Sequence, residues 1–197
     1  MILPIIAYGD LMLRKKAAEI TADYPGLKEF IDDMQETMHS ASGIGLAAPQ
    51  VGKSIRLFII DTVTALKHIR EDADKKDNRF MNEEGIQRVF INATQVHKNG
   101  TPWQYNEGCL SIPKIREDIE RPEEITLEYL DENFQPVTET FKGLAGRVVQ
   151  HEYDHIEGIL FVDYLKPLKK RLIKKKLDNI SKGIVDVDYK MKFPSRK

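Results

Sequence analysis

His151 and His155 enclose Glu152 in the run Q-H-E-Y-D-H at 150–155. On a helix, residues four apart project from the same face, so two imidazoles at this spacing converge on one metal ion. Glu152 stands beside them, where a carboxylate reaches a water held by such an ion. The chemistry this suggests is metal-assisted hydrolysis. The competing account is a pair of neutral, hydrogen-bonded core histidines, because Leu144, Val148, His151, His155 and Ile159 form one stripe at helical spacing. The H-E-x-x-H order on that stripe favours metal.

A catalytic site of this kind takes a third protein ligand and keeps one position open. The other histidines, His39, His68 and His97, lie in dispersed contexts without ligand spacing. The single cysteine, Cys109, sits in E-G-C-L-S-I-P at 107–113. A lone cysteine also serves as a small buried hydrophobe, so both readings stand at this point. Gly108 suits a tight backbone, and Pro113 is expected to end or bend the segment. A third run, G-I-G-L-A-A-P-Q-V-G at 43–52, has glycines on both sides of Ile44, which allow close backbone approach, and Gln50 offers an amide donor. It lacks the G-K-[ST] ending of a phosphate-binding loop, and its glycine spacing departs from the dinucleotide fingerprint.

The elements that must position these residues are legible in part. Leu27, Phe30, Ile31, Met34 and Met38 recur at helical spacing and predict a helix over 26–41, with Gly43 just past its end. Strand-like runs fall at 55–61, 87–92 and 125–130, with another near 137–141. Between the first two, the charged segment 65–85 is expected to be a surface excursion. Helical spacing returns at 143–157 and again at 165–180, the latter strongly basic and ending near Gly183. In that helix Leu165, Leu168, Leu172 and Leu177 are expected to dock on the body. The tail alternates Val185, Val187, Tyr189, Met191 and Phe193, a strand pattern. Strands between an early and a late helix predict an α+β fold, with mixed or antiparallel sheets around a central metal-binding helix.

At 197 residues the chain suits one domain, read as a catalytic unit over 1–197 with a basic helix and tail from 165 onward. A formal net charge of −1 gives no global signal for nucleic acid or membrane. One cysteine excludes an intramolecular disulfide and suits a reducing compartment. The opening MILPIIAYGD has no basic segment before its apolar run and does not read as a signal peptide. The expectation is a cytoplasmic protein without a membrane span.

The three segments, in this order, resemble the three signature motifs of peptide deformylases. The similarity extends from Y-G-D at 8–10 through R-P-E-E-I at 121–125 to F-V-D at 161–163, over roughly residues 4–165. Tyr153 and Ala93 depart from the commoner pattern. The resemblance implies that Cys109, His151 and His155 hold the metal, that Glu152 is the acid/base, and that Gln50 and the backbone N–H of Leu110 hold the developing oxyanion. It implies N-formyl-methionyl ends of new polypeptides as substrate, formate as product and Fe(II) as the ion; Zn(II), Ni(II) or Co(II) also suit such donors. Ile44 and Val148, with Gly45, are the candidates for receiving the methionine. Glu107, Asp154 and Arg121 are candidates for orienting the ligands, or else ordinary surface ion pairs. The basic helix is a solvated face or a dock for ribosomal RNA. Two rivals remain: a zinc endopeptidase recruiting Glu157 as third ligand, and a structural or peptide-binding module without catalysis.

Overall fold

The computed structural model describes residues 1–71 and 78–195. Among the described residues nine strands follow in chain order: β1 (Ile5–Ile6), β2 (Gly45–Ala47), β3 (Leu57–Asp61), β4 (Gln87–Asn99), β5 (Trp103–Cys109), β6 (Ile112–Arg121), β7 (Glu124–Leu130), β8 (Pro136–Phe141) and β9 (Met191–Lys192). Four α-helices among the same residues join them: α1 (Leu27–Ser40), α2 (Val63–Glu71), α3 (Gly143–Ile156) and α4 (Pro167–Ser181). The fold is α+β, as the order of elements predicts.

Strands β2-β3-β4-β7-β8 form one antiparallel sheet, β5 and β6 a separate hairpin, and β1 pairs with β9 in parallel. Every residue of β3 is buried, as its unbroken apolar run L-F-I-I requires of a central strand covered on both faces. On one side α1 seats Leu27, Ile31, Met34 and Met38 against Leu57, Ile59 and Ile91. On the other, α3 seats Leu144, Val148, Val149 and Ile156 against Phe58, Ile60, Phe90 and Leu127. Gly146 permits this approach: a Cβ there would lie 2.7 Å from the Phe141 carbonyl oxygen. Helix α3 is therefore packed against the sheet, and Leu144, Val148, His151 and His155 of its inner stripe are buried.

Several expectations are corrected. The hairpin β5–β6 is not among the strands expected from the sequence, because the alternation of W-Q-Y-N lasts only four residues before Glu107 and Gly108 interrupt it. Pro113 does not end the segment but lies inside β6, where the register with β5 shifts. Strand β4 runs on to Asn99 through two irregularities of register. Helix α3 stops at Ile156 because Gly158 adopts φ +76°, so Ile159 leaves the stripe and is 36% exposed. Within 65–85, helix α2 and a 3-10 turn at Asn78–Phe80 flank residues 72–77, which lie outside the described residues. In α4, the docking face is Ile173, Leu177 and Ile180, while Leu168 and Leu172 are 70% and 68% exposed. The tail's alternation persists in burial, but only Met191–Lys192 finds a strand partner.

Candidate active site and metal centre

His151 and His155 are one turn apart on α3, with ring centroids 5.0 Å from each other. Cys109, the last residue of β5, brings Sγ to 3.3 Å from His155 Nε2. One donor atom from each of the three residues lies within 4.8 Å of the others. Two imidazoles and a thiol from separate elements thus meet at one point in an arrangement that could hold a metal ion, while Cys109 also packs against the apolar cluster around Ile112 and Phe161. Glu157, which a peptidase reading would recruit, is instead paired with Arg56 at 2.8 Å and Lys16 at 3.1 Å.

Glu107 stands directly behind this cluster. Its Oε2 lies 3.0 Å from His151 Nδ1, which leaves Nε2 as the ring atom available to an ion. Arg121 grips the same carboxylate through Nε at 2.7 Å and Nη2 at 3.0 Å, and sends Nη1 to Asp154 Oδ2 at 2.7 Å. Arg147 Nη1 adds a contact to Glu107 Oε1 at 3.1 Å. All four side chains are buried. Glu107, Asp154 and Arg121 are therefore an interior network and not surface ion pairs. Burial alone would raise the Glu107 pKa, but hydrogen bonds from His151 and Arg121 overcome it and hold the carboxyl at about 2. Arg147 was missed in the sequence, although it lies four residues before His151 and so shares its face.

Burial pushes His155 well below the ordinary histidine range. A neutral imidazole is the form that binds metal. In the same helix Glu152 is 4% exposed, and burial raises its pKa to about 7. Glu152 Oε2 has no hydrogen-bond partner among the described residues. Gly45 makes room for this side chain: a Cβ at Gly45 would sit 2.8 Å from Glu152 Cγ.

Gln50 is 1% exposed in the 3-10 turn Ala48–Val51. Its Oε1 accepts the Ala47 N–H at 2.8 Å, which orients Nε2 toward Cys109 Sγ at 3.4 Å and Ser111 Oγ at 3.2 Å. A cavity of about 500 Å³ opens over these groups. Ile44, Gly45 and Val148 line it with Gln50, Cys109, Leu110, His151 and Glu152. Every ligand, catalytic and substrate-binding residue expected from the sequence is thus at this cavity except His155, which meets it through Cys109. Tyr153 packs into the main core, and its hydroxyl accepts the Gln95 N–H at 3.2 Å.

A Cys/His/His donor set that could hold a metal ion, beside a buried, unpaired carboxyl and a cavity of small-ligand size, fits the centre of a metal-dependent hydrolase. Comparison with known proteins gives the particular family. The profile of the polypeptide deformylase family matches residues 2–171. Peptide deformylase of Christiangramia forsetii is 54% identical over 197 residues, covering 100% of this chain and 98% of its own. That of Flavobacterium johnsoniae is 53% identical with the same coverage. Among solved structures, peptide deformylase from Legionella pneumophila superposes with a TM-score of 0.74 at 36% identity, covering 92% of this chain and 96% of its own. The chain belongs to the polypeptide deformylase family, hydrolases that remove the N-formyl group from nascent peptides.

Proposed function

We propose that this chain deformylates the N-formyl-methionyl end of new polypeptides with Cys109, His151 and His155 holding one divalent ion and Glu152 carrying the proton. The observation behind this reading is the convergence of the three donor atoms within 4.8 Å of one another, with Glu152 buried at their side. Bound there, the ion supplies Lewis acidity, which polarises a carbonyl and brings the deprotonation of water toward neutral pH. Glu152 takes a proton from the attacking water at its unpaired Oε2 and delivers it to the leaving amine. Gln50 Nε2 and the Leu110 N–H donate to the formyl oxygen as it gains negative charge. Ile44 and Val148 flank the methionine side chain, and Gly45 leaves space for Glu152 to reach the scissile bond.

The ion that we assign is Fe(II), with Zn(II), Ni(II) and Co(II) as substitutes that the thiolate and imidazoles also accept. A reduced thiol ligand suits the cytoplasm, where we place the protein, acting as one catalytic domain over 1–197. No described helix is long and apolar enough to cross a membrane. The exposed Lys169, Lys170, Arg171, Lys174, Lys175 and Lys176 of α4 are read as a dock for ribosomal RNA. Lys→Glu changes there, and added salt, should weaken ribosome binding; salt-independent binding would exclude it.

The test of the main reading is formate release from formyl-Met-Ala-Ser by protein prepared anaerobically with Fe(II) or Ni(II). Rapid release is expected, with collapse in Cys109→Ala. A metal-replete protein that releases no formate would overturn the reading.

A further inference from the structure

The turn between β5 and β6 carries Cys109 and Leu110, and it is pinned from outside the hairpin. Cys109 pairs with Ile112, so only Leu110 and Ser111 lie between the strands. In so short a connection the central peptide, the Leu110 carbonyl with the Ser111 N–H, is the unit that can rotate, by exchanging ψ at one residue against φ at the next. Tyr8 N–H donates to the Ser111 carbonyl at 2.8 Å, and Gln50 Nε2 donates to Ser111 Oγ at 3.2 Å. Neither holds the central peptide. That contact comes from the C-terminal tail, where the Tyr189 hydroxyl donates to the Leu110 carbonyl at 2.8 Å.

The tail is built to deliver this side chain. Parallel pairing with β1 fixes its end, with Ile5 N–H on Lys190 O and Ala7 N–H on Lys192 O, both at 2.9 Å. Between α4 and that anchor, residues 185, 187 and 189 are half-buried while 184, 186, 188 and 190 are exposed. The tail's burial therefore alternates with period two, turning Val185, Val187 and Tyr189 toward the body. Val187 and Tyr189 line the same cavity as Glu152 and Gln50. The family profile ends at residue 171, so this wall of the cavity comes from sequence beyond it.

We propose that Tyr189 is a positioning residue for the deformylation reaction, its hydroxyl locking the turn that presents the Leu110 N–H and Cys109 to the substrate. The inference rests on the reading of the Leu110 N–H as an oxyanion donor. Without the hydroxyl the Leu110 carbonyl loses its anchor, and Leu110, whose own N–H is the donor, can shift with the turn and is no longer preorganised. Complete loss of such a donor typically costs about 10²–10³ in rate, so loosening it should cost on the order of tenfold in kcat.

The experiment compares wild type, Tyr189→Phe and Tyr189→Ala, each loaded with Ni(II), for kcat and KM on formyl-Met-Ala-Ser, metal content and amide hydrogen exchange at Leu110 and Ser111. The expected result is a kcat about tenfold lower in both variants, with KM and metal content near wild type and faster exchange at the two amides. If the ring served only for packing, Tyr189→Phe would restore what Tyr189→Ala loses, and the proposal would fail. It would also fail if exchange at both amides were unchanged in Tyr189→Phe. Hydrogen exchange needs no turnover, so an inactive wild-type enzyme would count against the catalytic reading while Tyr189's hold on the turn is still decided by the exchange data.

Discussion

Glu107 Oε2 lies 3.0 Å from His151 Nδ1 while both of its oxygens are held by Arg121. One carboxylate thus sets the tautomer of a histidine on α3 and compensates a guanidinium that is itself buried. The arrangement ties the hairpin that carries Cys109 to the helix that carries both histidines. Chemistry and stability at this centre are consequently hard to separate.

Glu107→Gln should expose that coupling. It removes the charge facing Arg121 and Arg147, both 2% exposed, and breaking one side of a buried pair typically costs about 3–5 kcal/mol. The loss of the His151 contact should also weaken metal affinity by about 10–100-fold. Chemical denaturation and metal titration of the variant measure the two effects. A denaturation midpoint and metal affinity equal to wild type would show that the network is inert.

Glu152→Gln separates proton transfer from metal binding, since Glu152 belongs to neither the donor triad nor the Glu107 network. Metal content should stay at wild-type level, and the rate should fall by about 10²–10⁴. Near-normal turnover would remove Glu152 from the mechanism.

Gly45→Ala probes how tightly that carboxyl is placed. The added Cβ would lie 2.8 Å from both Cγ and Cδ of Glu152, a contact that the side chain must escape by moving. Misplacement by about 1 Å can cost about 10²-fold in rate. Steady-state kinetics should show a fall of that order with metal still bound; an unaffected kcat would mean that Glu152 has slack.

Asp61 supplies a pH test away from the metal centre. Burial would raise its pKa, but hydrogen bonds from His39 and Gln87 and from the Thr64 and Val63 amides outweigh this and depress it below 3.8. A depressed folded-state pKa means stability that is present above the ordinary aspartate range and lost as pH falls through the folded value. Wild type should therefore exceed Asp61→Asn by about 1–3 kcal/mol near neutral pH. The gap should close as pH drops below about 4. Urea titrations of both proteins across that range measure it, and a constant gap would contradict the assignment.

The sequence by itself determined the helix under the H-E-x-x-H run, the helix at 27–40 and the strand at 57–61. The strand rests on a short unbroken apolar run, and the two helices on periodicity imposed by local backbone geometry, which a chain carries whatever its partners. His151, His155 and Glu152 were legible for the same reason. Cys109 was not settled by its own segment: its role as a candidate ligand came from family resemblance, and only the packing of hairpin against helix brings its sulfur to 3.3 Å from His155. The hairpin, the buried Glu107–Arg121–Arg147 network and the tail's grip on Leu110 were likewise decided by tertiary structure. Their partners are distant in sequence, and such pairings depend on sheet register and on the packing of α3, which no local pattern encodes. Charged side chains in the sequence read as surface, and only the fold shows which of them are compensated well enough to be interior.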